Sequence, residues 1–173
     1  MIVGKPFLSV DVINEKVKEL AERISGDYAG KDLVAIGILK GAFMFFSDVV
    51  RAIRTPMTID FFIASSYLKS ETSGEVKIHH DVREEVEDRD VLLIDDIVDT
   101  GVTLNYLRER ILMRGPRSLK ICSFLDKRER REVDVPLDYV GFTIPNEFVV
   151  GYGLDYDNKF RNLPYISFFK KTA

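Results

Sequence analysis

The sequence predicts an α/β fold: a doubly wound, mostly parallel sheet flanked by helices, with a small lobe over one edge. Three observations carry this. Val91–Ile94 is an unbroken apolar run, the pattern of a strand buried on both faces. Leu33–Leu39 (LVAIGIL) is a second such run. Each is followed by a polar, glycine-containing turn and then by apolar residues at helical spacing, so strands and helices alternate. A chain of 173 residues suits one domain, and 46% apolar content supplies a real core.

Taken in order, Ser9 can cap an amphipathic helix. Ile13, Val17, Leu20, Ala21 and Ile24 fall on one face, with Glu15, Lys16, Glu19 and Glu22 mostly opposite, and the helix ends near Gly26. The strand at Leu33–Leu39 stops at Lys40-Gly41, and a helix resumes over Ala42–Ile53 until Pro56 breaks it. Met57–Ala64 is a third strand. Ser65–Glu75 is polar and predicts an exposed, mobile loop. Glu75–Asp81 alternates and predicts an edge strand; its adjacent His79 and His80 would point to opposite faces and do not converge on one metal. Arg83–Asp90 is a charged, solvated connection.

After the central strand, Leu104, Leu107, Ile111 and Leu112 recur at helical spacing, and Gly115-Pro116 ends that helix. Ser118–Leu125 is another strand, stopping at Asp126-Lys127, with the charged run Arg128–Glu132 behind it. Tyr139–Phe142 is a short strand closed by Pro145. Phe148–Asp155 is a strand with aromatics nearby, suited to a flat apolar ligand with polar edges, and Tyr165–Phe169 is the last strand. These late, helix-poor strands form the expected lobe.

Composition excludes several classes. Net charge is −3, which makes no electrostatic case for a nucleic-acid partner. No apolar run approaches membrane-spanning length, and the N-terminus has no signal-peptide pattern. The single Cys122 cannot pair within the chain and predicts a buried thiol, so a cytoplasmic location is expected.

The chemistry concentrates in Asp95-Asp96-Ile97-Val98-Asp99-Thr100-Gly101-Val102-Thr103. Carboxylates are costly to bury unpaired, so Asp95 and Asp96 are expected to mark where the strand leaves the core. In an open parallel sheet, ligands bind at the carboxyl ends of strands. Gly101 allows a tight turn and close approach, and a loop feeding a helix N-terminus offers free N–H groups to an anion. Three carboxylates beside a phosphate require a cation or hydroxyls between them. A ribose 5-phosphate, with a divalent metal, meets that requirement. Simple capping by Asp99 or Thr100 would explain one acid but not three. By the same topology Lys40-Gly41 falls on this edge, where Lys40 is either a solvated loop lysine or a site residue.

The stretch resembles the phosphoribosyl-diphosphate (PRPP) motif of the type I phosphoribosyltransferases: apolar residues, two acids, two apolar residues, Asp, Thr or Ser, Gly, any residue, Thr. Over nearly its whole length the chain is similar to the 6-oxopurine branch, the hypoxanthine-guanine phosphoribosyltransferases. Leu39-Lys40-Gly41 resembles the loop that contacts diphosphate and often holds a cis peptide between its Lys and Gly. Ser66-Tyr67 resembles the start of the mobile loop, and Phe148–Tyr156 with Phe160-Arg161 resembles the purine-binding hood. Asp95 stands where the branch often has Glu, and Thr100 where many bacterial members have Ser.

The resemblance implies one domain over residues 1–173, with a core at about 28–126 and a hood from the N-terminal residues and about 127–173. It implies Mg²⁺-dependent transfer of 5-phosphoribosyl from PRPP to hypoxanthine or guanine. Asp99 would be the general base, and Asp95, Asp96, Asp99, Thr100, Gly101, Val102 and Thr103 would hold PRPP and its 5′-phosphate. Lys40, Gly41 and Arg161 would hold diphosphate, although Arg161 by itself suits a surface ion pair. Lys127, Phe148, Val149 and Asp155 would bind the purine, with Lys127 reading the 6-oxo group, and Phe148 is either stacking on the base or plain core. Asp95, Asp96 and Asp155 would meet the metal, and Ser66 and Tyr67 would help close the site. Members are homodimers or homotetramers. The rival readings are a xanthine- or guanine-preferring relative and a nucleotide-binding regulator on the same fold. A regulator could dispense with Asp99, Lys127 or Arg161, all of which are present.

Overall fold

The computed structural model describes residues 2–67 and 75–170. In order, their elements are β1 (Ile2–Leu8), α1 (Val10–Asp27), β2 (Leu33–Leu39), α2 (Phe43–Ala52), β3 (Met57–Tyr67), β4 (Glu75–His80), β5 (Asp90–Val98), α3 (Val102–Leu112), β6 (Ser118–Asp126), β7 (Tyr139–Thr143), β8 (Val149–Val150) and β9 (Ile166–Lys170). A 3₁₀ turn lies at Arg128–Arg130. None of the described helices is long and apolar enough to cross a membrane.

The apolar runs of β2 and β5 dictate the centre. Along β2, Leu33 and Ala35 join one core while Val34, Ile36 and Ile38 join a second on the opposite face. Along β5, Leu92 and Ile94 go one way and Val91 and Leu93 the other. Strands buried on both faces must be covered on both faces. The α1 stripe of Ile13, Val17, Leu20, Ala21 and Ile24 closes the first core with Phe45, Phe46 and Val49 of α2; Leu104, Leu107 and Ile111 of α3 close the second. Ser9 caps α1, accepting from the Val12 N–H at 3.4 Å.

The result is a six-stranded sheet of order β4-β3-β2-β5-β6-β7, parallel except for the edge strand β4. Loops following β2, β5 and β6 therefore emerge on one edge. A separate antiparallel sheet, β1-β9-β8, supplies the small lobe.

Several local expectations change. Residues Ile2–Leu8, read without a strand, pair with β9, and Ser167 Oγ–H donates to the Lys5 carbonyl at 2.9 Å. β7, placed by sequence among the late strands of the lobe, pairs parallel with β6 and extends the larger sheet past residue 127. The strand expected over Phe148–Asp155 contracts to Val149–Val150, because Gly151 and Gly153 take positive φ and turn the chain. β3 reaches three residues further, into the expected loop, while β4 begins at Glu75 as expected, with Tyr67 opposite Glu75. The side chains of Ser66 and Tyr67 and the loop at 68–74, where site closure was expected, lie outside what is described.

Candidate active site

The carboxyl edge of the parallel strands opens into a cavity of about 430 Å³. Lys40 and Gly41 enter it from the end of β2, Ala64 and Ser65 from β3, Asp95, Asp96, Ile97 and Asp99 from β5 and its loop, and Lys127 from the end of β6. Phe148, Val149, Leu154, Asp155 and Arg161 close the opposite side. A second cavity of about 270 Å³ is lined by Asp99–Leu104 together with Arg130 and Glu132, and shares Asp95, Ile97, Asp99 and Thr103 with the first. All the residues expected to hold diphosphate, purine and metal thus line the first cavity, and the loop expected to hold a phosphate lines the second.

Asp95 and Asp96 do not end their strand. β5 continues to Val98, with Ile97 opposite Leu125 and Val98 opposite Asp126 on β6, and Asp95 is only 9% exposed. Burial is tolerable because the pair is internally bonded. The Asp96 N–H donates to Asp95 Oδ1 and the Ile97 N–H to Asp96 Oδ1, both at 3.0 Å. Burial and the neighbouring Asp96 charge push Asp95 well above the usual carboxylate range. Burial also raises Asp96, although its hydrogen bond with Asp95 and the Arg161 charge oppose the rise. The two carboxyls therefore hold on to a proton to higher pH than isolated acids.

The turn after β2 is held against this pair. Its non-proline cis peptide joins Leu39 to Lys40, one bond earlier than the Lys40–Gly41 position expected. The chain reverses there: the Ala42 N–H reaches back to the Ile38 carbonyl at 3.3 Å as α2 begins. Lys40 is exposed at the cavity mouth.

Gly101 has φ +87° and precedes α3, and a Cβ there would collide with the Val133 carbonyl, so glycine is required. The Thr100 carbonyl accepts the Glu132 and Val133 N–H groups at 2.9 and 3.1 Å, tying the loop to the segment after Lys127. Asp99 Oδ1 is buried without a well-aligned hydrogen bond, and Arg130 Nε lies 3.0 Å from it. The charged run Arg128–Glu132, to which the sequence assigned no site role, thus contributes an ion pair to the site. The only local hint was the loop's need for a cation.

Lys127 is 7% exposed, and burial pulls its ammonium below the ordinary lysine range while Asp99 opposes the shift. Phe148 is 49% exposed, edge-on to Tyr156 at 5.7 Å, so its ring belongs to the cavity wall rather than the core. Val149 is fixed by pairing with Phe168. Arg161 does form an ion pair, but within the site: it donates to the Gly153 carbonyl at 2.7 Å and lies 2.7 Å from Asp155 Oδ1. Asp155 Oδ2 accepts the Asn158 N–H at 2.7 Å. Among the described residues no group of three or more His, Cys, Asp or Glu converges as a metal cage, which leaves the Asp95–Asp96 pair and the separate Asp155 as oxygen donors.

Comparison with known proteins agrees with this geometry. Residues 9–157 match the family model described as phosphoribosyl transferase domain. The chain is 46% identical to the hypoxanthine phosphoribosyltransferase of Salmonella typhimurium over 89% of its own length and 88% of that protein. It is 46% identical to the hypoxanthine-guanine phosphoribosyltransferase of Streptococcus thermophilus over 98% and 94%. A crystal structure of a hypoxanthine phosphoribosyltransferase from Staphylococcus aureus superposes with a TM-score of 0.93 at 46% identity, covering 97% of this chain and 92% of that one.

Proposed function

This chain belongs to the phosphoribosyl transferase family, and from that premise we propose that it is a purine salvage enzyme, moving 5-phosphoribosyl from PRPP to hypoxanthine, and to guanine, with release of diphosphate. The observation that carries the reading is the meeting of an acidic pair, a glycine-threonine loop at the start of α3 and a cation-and-aromatic wall in two cavities that share four residues.

In the reaction the bond from the anomeric carbon to diphosphate breaks, a bond to a purine nitrogen forms, and the purine gives up one proton. Asp99, at the junction of the two cavities, is the base that receives it; a positioned base contributes ~10²–10⁴-fold in rate. Lys127 donates to the 6-oxo oxygen. Adenine presents a donor there instead, leaving a buried ammonium unmatched, which is how a polar site rejects an analogue. Phe148 stacks on the base, and Val149 offers backbone groups to its edge. Thr100, Thr103 and the N–H groups of Gly101 and Val102 cradle the 5′-phosphate. Arg161, whose fork suits phosphate oxygens, and Lys40 with Gly41 receive the diphosphate.

Asp95 and Asp96 hold the ribose hydroxyls and are hard oxygen donors. Hard carboxylate oxygens of this kind would suit Mg²⁺. Asp155 belongs to the same set once Arg161 turns to diphosphate. When bound, Mg²⁺ neutralises charge on the leaving diphosphate. Assembly as a homodimer or homotetramer is part of the proposal, supported by exposed apolar side chains such as Ile59 and Met113.

The test offers hypoxanthine, guanine, xanthine and adenine separately, with PRPP and Mg²⁺, to the wild type and to Asp99→Asn. Turnover of hypoxanthine and guanine, lost with chelator and ~10²–10⁴-fold slower in the variant, is expected. Nucleotide binding with no turnover of any base would replace this reading by the regulator.

A further inference from the structure

The second cavity poses a charge problem. Its wall carries Asp95, Asp99 and Glu132, yet a sugar phosphate bound there brings about two more negative charges. Backbone N–H groups and the Thr100 and Thr103 hydroxyls supply hydrogen bonds but no full positive charge. Among the described residues lining this cavity, Arg130 is the one cation. It sits in the 3₁₀ turn after Lys127, held by its N–H on the Lys127 carbonyl at 3.0 Å, and its side chain is 45% exposed. Its Nε lies 3.0 Å from the buried Asp99 Oδ1, an oxygen without a well-aligned hydrogen bond. A guanidinium has five N–H donors in a rigid fork, so one edge can face a carboxylate while the others take phosphate oxygens.

We propose that Arg130 is a specificity-determining residue of this site: it anchors the 5′-phosphate while facing Asp99, so that one guanidinium separates two like charges and joins recognition of the phosphate to placement of the base. This rests on the reading under Proposed function. Arg130 discriminates phosphorylated from unphosphorylated ribosides, and it carries the charge that the loop itself lacks.

The test measures binding of IMP and of inosine, by calorimetry and competition, to the wild type, Arg130→Gln and Arg130→Lys, with thermal melts as a control for folding. The wild type should prefer IMP. Arg130→Gln should weaken IMP by about tenfold while leaving inosine within about twofold, and Arg130→Lys should recover part of the loss, since a point charge replaces the fork. In steady state KM for PRPP should rise in Arg130→Gln with KM for hypoxanthine unchanged. Unchanged IMP affinity with a fall in kcat alone would overturn the anchor and leave Arg130 acting only through Asp99. Equal losses for IMP and inosine would overturn it too. A wild type that binds neither IMP nor inosine would sink the purine-transferase reading, and the anchor with it.

Discussion

Gly41 lies directly against the Asp96 carboxylate: a Cβ at residue 41 would stand 2.7 Å from Asp96 Cγ and overlap Oδ2. Gly153 in turn packs its Cα against the Gly41 carbonyl. The end of β5, the turn after β2 and the arm of the small lobe are therefore stacked with no room for a methyl group between them, and the spacing of the site is set by absent side chains.

Gly41→Ala should consequently displace the Asp96 carboxylate rather than unfold the core. We expect kcat/KM for PRPP to fall by about 10²-fold, the scale of a 1 Å misplacement, with a melting temperature within a few degrees of wild type. Steady-state kinetics beside a thermal melt check this; wild-type kinetics would show that the turn yields instead.

Asp95→Asn should stabilise the protein and impair it. In the fold Asp95 titrates above its unfolded value of ~3.9, so wild-type stability declines as pH rises from that value through the raised one. The amide cannot ionise and avoids the decline. The melting temperature of the variant should match wild type near pH 4 and exceed it near pH 8, while KM for PRPP rises. A melt series across pH reads the sign; a variant that is less stable at pH 8 would contradict the raised Asp95 pKa.

Lys127→Met removes the buried donor with little change in bulk. The expected loss is ~10²-fold or more in kcat/KM for hypoxanthine with adenine affected much less, so the ratio of the two is the quantity to measure. Burial lowers the Lys127 pKa, so the ammonium is lost at lower pH than an ordinary lysine, and purine affinity should fall as pH rises through that value. Lys127→Arg stays charged and should move the alkaline limb upward.

Phe148→Ala should cost recognition, not stability. The ring is half exposed in the cavity wall. Loss of stacking, about 1–3 kcal/mol, should raise KM for hypoxanthine roughly tenfold or more, with KM for PRPP and the melting temperature near wild type. A large drop in melting temperature would assign the ring to the core instead.

Much of this was legible in the chain, for a physical reason. Burial on two faces leaves an unbroken apolar run, so β2 and the start of β5 stand out; burial on one helical stripe leaves period 3.6, so α1 and its face stand out. The Asp95–Thr103 stretch drew attention in the sequence because three acids, a glycine and two threonines stand within nine residues.

The rest depended on distance. Pairing of β1 with β9 joins opposite ends of the chain, and nothing within seven residues encodes the partner. β5 runs on through two acids because backbone N–H groups bond their carboxylates and make the burial tolerable, which a hydropathy pattern cannot register. Arg130 reads locally as one charge in a charged run; only the fold brings it to Asp99, 31 positions earlier, and Arg161 with Asp155 to the neighbouring cavity. Local sequence determined most of the central strands and helices, because those follow from short-range sterics and periodic burial. The tertiary structure decided which charges meet, because ion pairing acts through space between residues that the chain alone does not bring together.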